Sequence, residues 1–282
     1  MLYGKIIKNL RNERNITQSQ LAEGLQTRVS VARFESGETR VTLEALFHYL
    51  NRLNIRPEDF FLIVNQENKN EKEDIYQYFL KEVANSSSSD FIRNLKKKYE
   101  QDGDIFYLLL FVEAINIQNR IYDKKTNLDA EIVVVKKYLD KVETWGYFEL
   151  SMFTNCLNLF STSYIKNQYV IIMNAYDKYY GYPKYQHCKI SFLVNYLILL
   201  FERGQYSFIP EILLQLHDAS SDISYVSGRI FWHFFTGTYK KIIDHIEFDS
   251  SSIIFWVKSL GYDDLSVQLS DFSKMIDLKT VF

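Results

Sequence analysis

Glycine and proline are rare in this chain, 10 and 3 of 282 residues. A sandwich of short strands needs a turn every few residues, and that punctuation is missing. Cysteine is rarer: Cys156 and Cys188 stand apart from each other and outside any Cys-x-x-Cys or Cys/His spacing. They read as free buried thiols in a reducing compartment rather than as a disulfide or a zinc site, so no metal is expected. Long apolar runs are absent too. The longest uncharged stretch, residues 150–165, contains Ser, Thr and Asn and falls short of the roughly 20 apolar residues that span a bilayer. The opening MLYGKIIKNLRNER carries Lys5, Lys8, Arg11 and Arg14 and has no apolar core of secretory length. The expectation is a cytoplasmic protein with no membrane partner.

Catalytic constellations are also lacking. His245-Ile246-Glu247 has the spacing of a deaminase His-x-Glu, but no cysteine pair completes a zinc site. His187 and Cys188 are adjacent, so their side chains diverge on a helix, and His217-Asp218 reads as a helix end. Neither a glycine-rich phosphate loop nor a Gly-x-Ser-x-Gly elbow occurs. With no converging set of groups, the chain is read as a non-enzyme without a cofactor.

What the chain does have is 47% hydrophobic residues, enough for a substantial core, recurring at helical spacings. The expected fold class is all-α. A net charge of −2 hides an asymmetry: residues 1–65 hold 9 Lys and Arg against 7 Asp and Glu, and residues 66–282 hold 24 against 28. Stopping before Pro57 lowers the first count of acids to 5, the direction expected if only that end meets a polyanion. Six of the 42 Tyr and Phe, and no Trp, precede residue 66. The stretch NQENKNEKEDI, residues 65–75, has no apolar residue before Ile75 and reads as a hinge or as the exposed start of a connecting helix. These shifts divide the chain into a first domain over 1–65, a linker over 66–75 and a second, helical domain over 76–282.

The first domain breaks into about five short helices. Ile6, Ile7 and Leu10 share the face of one, and Leu21, Ala22 and Leu25 that of a second opened by Thr17 or Gln18. Thr27 suits the N-cap of a third, which Gly37 stops. Thr42 caps a fourth, and Pro57 opens the last at its preferred first position. Two short helices joined by a tight turn form a helix-turn-helix, whose second helix reads double-stranded DNA in the major groove. Val31 and Phe34 anchor that helix inward, which turns Arg28, Val29, Ser30 and Arg33 outward. Arginine pairs with guanine and valine packs on a thymine methyl, so Arg28, Val29 and Arg33 are the expected base readers. Ser30 is a base or phosphate contact, and Arg14 and Arg40 are phosphate candidates.

These residues carry a resemblance. "LRNERNITQSQLAEGL", "SVARFESG" and "LNIRPEDFF" make residues 10–61 similar to the Cro/repressor-type (XRE) helix-turn-helix. The resemblance implies that Gln18 binds a phosphate and that Arg11 pairs with Glu35 in a partly buried bridge. Gln18 also stands at a helix amino terminus, whose free N–H groups favour an anion. Without the motif, Arg28 and Arg33 would read as ordinary solvated charges and Arg11–Glu35 as an exposed pair.

From residue 71 onward, helices are separated by Gly or polar clusters, among them Asn-Ser-Ser-Ser-Ser-Asp at 85–90. Four helix hairpins beginning near 147, 184, 221 and 250 have spacings close to the roughly 34-residue tetratricopeptide period, although the signature of that repeat is absent. A tetratricopeptide-like solenoid is expected, with a peptide-sized face built by the first helix of each pair. "YLDKVETWGYFELSMFTNCLNLFS" and "NYLILLFERGQY", behind an XRE-type head, resemble the Rgg/MutR branch of peptide-responsive regulators. That resemblance implies a homodimer on promoters whose repeats bind a short hydrophobic signalling peptide.

On that reading, Asn155 and Asn195 hold the peptide backbone and Arg229 takes a carboxylate. Phe153, Phe192, Tyr196 and Trp232 form apolar walls. Each has a plainer reading: an Asn bonded to a neighbouring turn, an aromatic in the core. The large apolar residues of the last segment, residues 253–276, either cap the solenoid or supply the dimer seam. An alternative function keeps the DNA-binding head but has the repeats dock a protein, such as an RNA-polymerase adaptor, with no peptide.

Overall fold

The computed structural model describes residues 2–67, 70–83 and 89–280. Among them are sixteen α-helices and no strand, and the chain divides into two compact units between Glu82 and Val83.

The first unit holds α1 (Leu2–Glu13), α2 (Gln18–Ala22), α3 (Arg28–Glu35), α4 (Leu43–Arg52), α5 (Pro57–Glu67) and α6 (Glu71–Glu82). Three threonines start its short helices. Thr17 Oγ1 accepts from Gln20 N in a reciprocal capping box, Thr27 Oγ1 from Ser30 N, and Thr42 Oγ1 from Ala45 N. Each such cap contributes about 1 kcal/mol and satisfies an N–H that the helix itself leaves open. Stops are equally local: Asn15 and Asn54 follow α1 and α4 with φ of 53°, and Gly37 follows α3 with φ of 81°. That left-handed backbone suits Asn and Gly and little else.

Ile6, Ile7, Leu21, Val31, Phe34, Tyr49, Leu53 and Phe60 form the core of this unit. At roughly 1.5–3 kcal/mol per fully buried apolar side chain, that core outweighs the marginal propensity of helices this short. Helices α1 and α3 approach closely at Gly4. A Cβ on Gly4 would lie 2.1 Å from Phe34 O, so the two backbones meet where only glycine fits.

The stretch read as a linker, either a hinge or the exposed start of a connecting helix, is partly helical. Residues 66–75 are helical at both ends, since α5 continues to Glu67 and α6 starts at Glu71. A polar run with Glu71, Glu73 and Asp74 in a first helical turn complements the helix dipole, so the stretch that reads as a hinge also reads as a helix start. Residues 68 and 69 and residues 85–88 of the Ser-rich break lie outside the described residues.

The second unit contains α7 (Ser89–Asp102), α8 (Ile105–Ile121), α9 (Asp129–Leu139), α10 (Tyr147–Asn155), α11 (Thr162–Lys178), α12 (Pro183–Glu202), α13 (Ile209–Ala219), α14 (Val226–Ile243), α15 (Ser251–Ser259) and α16 (Asp263–Thr280). Helices α8, α10, α12 and α14 neighbour one another in that order, and α12, α13 and α14 pack in turn, as do α15 and α16. The helices expected to open hairpins begin at Tyr147, Pro183, Val226 and Ser251, but α14 is a single helix with no second member before α15. The third starts later than expected because Asp222 accepts from Ser224 N and opens a 3-10 turn over Ile223–Tyr225 before α14 begins. Aromatic contacts run through the interior: Trp145 against Phe153, Phe153 on Phe160, Tyr169 against Tyr196, and Phe201 with Phe235 and Phe272. No helix among the described residues is long and apolar enough to cross a membrane.

Candidate nucleic-acid interface and ligand groove

Helix α3 packs on α1 and α2 through Val31 and Phe34, both buried, with the Phe34 ring 5.9 Å from that of Tyr49. Its opposite face is open. Arg28 and Arg33 are exposed, Val29 is 65% exposed, and Ser30 is half-buried with its Oγ 2.9 Å from the Thr27 cap oxygen. Arg33 Nε lies 3.6 Å from Glu38 Oε2, a surface pair that a phosphate or base displaces at little cost. A notch of about 280 Å³ between α3 and the start of α4 is lined by Val29, Ser30, Arg33 and Arg40. It is also lined by Gln26, which sequence reasoning passed over.

A buried ion pair locks the other end of α3. Arg11 Nε and Nη2 donate to Glu35 Oε1 and Oε2 at 2.6 and 2.9 Å, and Arg11 Nη1 donates to Ile16 O at 2.7 Å. The bidentate bond raises the Arg11 pKa further above its ordinary value. Gln18 Nε2 donates to Glu35 Oε2 at 2.9 Å. The side chain expected to face a phosphate is thus held by the carboxylate that also holds Arg11. Arg14 is exposed, with Nη1 donating to Leu10 O at 3.1 Å.

In the second unit, two adjoining cavities form one groove. The polar end, about 270 Å³, is lined by Thr154, Asn155, Asn158, Asn195, Arg120 and Glu202. The larger, more apolar end, about 580 Å³, is lined by Ile117, Ile121, Phe231, Phe235, Leu269 and Phe272, with Gln268 and Asp271 beside them, and shares Arg120, Ile198 and Glu202 with the polar end. Asn155 Nδ2 donates to Glu113 Oε1 at 2.7 Å and Asn195 Nδ2 to Thr154 O at 3.1 Å, so each amide keeps polar capacity for the groove. At the same end, Arg203 donates to Thr162 Oγ1, Asn158 O and Phe160 O, fixing the turn after α10.

Five residues expected at this site are elsewhere. Phe153, Phe192 and Tyr196 are wholly buried in the aromatic interior and form no wall. An inner helix of a solenoid is covered on several sides, so helical spacing alone cannot tell its groove face from its core faces. Arg229 caps the end of α13 by donating to His217 O and Ser220 O, at 3.0 and 3.1 Å from Nη2, and its guanidinium lies 5.4 Å from the centre of the Trp232 ring. Trp232 packs against His217. Neither lines the groove, because the face of α14 that they occupy meets α13. Sequence reasoning missed Arg120, Glu202, Asn158 and Glu113. The signal for Glu113 was a single acid inside the apolar run of α8.

A helix-turn-helix whose second helix exposes arginines implies DNA binding, and with an all-helical body behind it the molecule falls in the class of helix-turn-helix transcription regulators. Residues 7–60 match the helix-turn-helix family, and residues 64–266 match the C-terminal domain of the HTH-type transcriptional regulator Rgg. The chain belongs to the Rgg family of transcriptional regulators, which are not enzymes. Among solved structures, a candidate transcriptional regulator from Listeria monocytogenes is similar at 20% identity and a TM-score of 0.84, covering 99% of this chain and 98% of that one. The SHP pheromone receptor Rgg2 of Streptococcus dysgalactiae is similar at 17% identity and 0.77, covering 97% and 99%. PrgX in its complex with iCF10 is similar at 18% and 0.77, covering 100% and 98%. At these identities the likeness is one of fold.

Proposed function

We propose that the protein is a cytoplasmic homodimeric regulator that reads operator DNA with α3 and senses a short, largely hydrophobic peptide in the groove of its second unit. Arg28, Val29 and Arg33 read base edges, with Ser30 and Gln26 beside them, and Arg14, Gln18 and Arg40 contact phosphates. The observation that carries the peptide reading is the groove itself. It joins an amide-rich end, suited to an extended backbone, to a larger end walled by Ile and Phe, suited to apolar side chains. Arg120 and Glu202, at the junction, suit a peptide terminus or a charged side chain. The exposed Phe255 and Trp256 of α15 support self-association near the end of the chain.

The test is fluorescence polarisation of labelled synthetic hydrophobic peptides, encoded by short reading frames beside the gene, against the purified full-length protein at fixed salt. Saturable binding that Asn195→Ala weakens about fivefold or more, the value of one hydrogen bond, is the expected result. No binding by any candidate would favour a repeat unit that docks a protein such as an RNA-polymerase component.

A further inference from the structure

Helix α8 is apolar through most of its length, and one acid sits at its middle. Glu113 follows Leu108, Leu109, Leu110, Phe111 and Val112, and only 8% of it is exposed. A buried carboxylate needs a partner, and this one has an amide: Asn155 Nδ2 donates to it across the contact between α8 and α10. One turn further along, the arrangement recurs with neutral groups. Asn116 and Asn158 exchange Nδ2-to-Oδ1 bonds of 2.9 Å in both directions, and Asn116 Nδ2 also lies 3.2 Å from Asn155 O. Two facing amides can reverse together and keep both mutual bonds, here at the loss of the one to Asn155 O. An amide facing a carboxylate cannot reverse, because an ionised carboxylate only accepts. Asn155 must therefore turn its NH2 toward Glu113, and Asn155 is exposed at the polar end of the groove.

We propose that Glu113 is a positioning residue for ligand binding: its carboxylate fixes the Asn155 amide with the carbonyl oxygen toward the groove, where it accepts an N–H of the bound peptide. This rests on the peptide-binding reading above. Protonation frees the amide, since a neutral carboxyl can accept from the NH2 or donate to Oδ1. Burial pushes the Glu113 pKa up to about 7, with the Asn155 bond opposing it, so the release falls near neutral pH. From α10 and the residue that follows it, Tyr147 and Cys156 interact electrostatically with Glu113, and burial raises both, so they stay protonated in that range. From α7, Lys96 and Lys98 lie over Phe111 and Tyr107, and Lys96 pairs with Glu131 of α9.

Two measurements separate this idea from the peptide reading. In full-length protein labelled with ¹⁵N-asparagine, the Asn155 side-chain resonance, identified by its loss in Asn155→Ala, should titrate with a midpoint near 7 and stay fixed in Glu113→Gln. A resonance that does not titrate, or titrates equally in Glu113→Gln, overturns the proposal whatever any peptide does. The second probe is the labelled synthetic peptide that binds best in the screen above. Its affinity for the wild type should fall about fivefold, one hydrogen bond's worth, from about pH 8 to about pH 6. Glu113→Gln should sit at the low-pH value throughout. A titrating resonance with pH-independent peptide affinity removes the positioning role. If no peptide binds, that role falls with the reading it rests on, while the resonance still reports whether Glu113 orients the amide.

Discussion

Replacing Arg11 with Ala should cost the first unit far more than a salt bridge usually is worth. The Arg11 and Glu35 side chains are 10% and 2% exposed, and they share a bidentate bond. Removing the guanidinium leaves a buried carboxylate with Gln18 as its remaining neutral donor and takes away the bond to Ile16 O. Stranding one charge of a buried pair costs about 3–5 kcal/mol. The Arg52–Glu23 pair of the same unit, 38% and 70% exposed, is the internal control, and Arg52→Ala should cost less than about 1 kcal/mol. Hydrogen exchange on the full-length protein resolves the two, because it reads the first unit apart from the second. Amides of α1 and α3 should exchange about 10²–10⁴ times faster in Arg11→Ala, with those of α12 unchanged. Replacing both partners, Arg11→Met with Glu35→Leu, should recover most of the loss, since no charge is then stranded. Equal effects of Arg11→Ala and Arg52→Ala would refute the reasoning.

Gly4→Ala should cost about 3 kcal/mol, the upper end for overpacking, because the new Cβ would meet Phe34 O at 2.1 Å; an unchanged thermal midpoint would mean that α1 shifts freely. Glu113→Gln should stabilise the protein in a pH-dependent way. The folded chain keeps a proton that the unfolded chain loses between 4.5 and about 7, so the wild type loses stability across that window, approaching about 3 kcal/mol above it. The variant should therefore melt higher than the wild type at about pH 8 and equally near pH 4, and equal midpoints at both would remove the burial argument. Arg28→Ala should reduce discrimination between operator and scrambled DNA by about 10–100-fold with the fold intact, as a lost bidentate base contact does. Unchanged discrimination in a competition assay would take Arg28 out of the reader set.

How far the sequence could be read followed the range of the forces involved. Thr17, Thr27, Thr42, Gly37 and Pro57 act within a turn of their own position, and the helices of the first unit begin and end beside them. The inward turn of Val31 and Phe34 was equally readable, since a helix eight residues long has one face to bury. In the second unit the deciding contacts cross more than thirty residues: Asn155 to Glu113, Asn195 to Thr154, Arg203 to Phe160. Spacing along the chain says that α12 is buried, but not which of Phe192, Asn195, Tyr196 and Ile198 meets solvent in a groove. That depends on neighbours two helices away. Arg229 is an example: its charge suggested a ligand, while the carbonyls that end α13 claimed it.

The uneven placing of tryptophan gives the molecule an optical division of labour. All three lie in the second unit: Trp145 sealed against Phe153, Trp232 half-buried, and Trp256 69% exposed. Indole emission therefore reports on that unit alone, and melting of the first unit is silent in it. Within the signal, an aqueous quencher reaches Trp256 and spares Trp145. One spectrum with and without quencher can thus distinguish loosening of the α10 interior from a change at α15, with no dye attached.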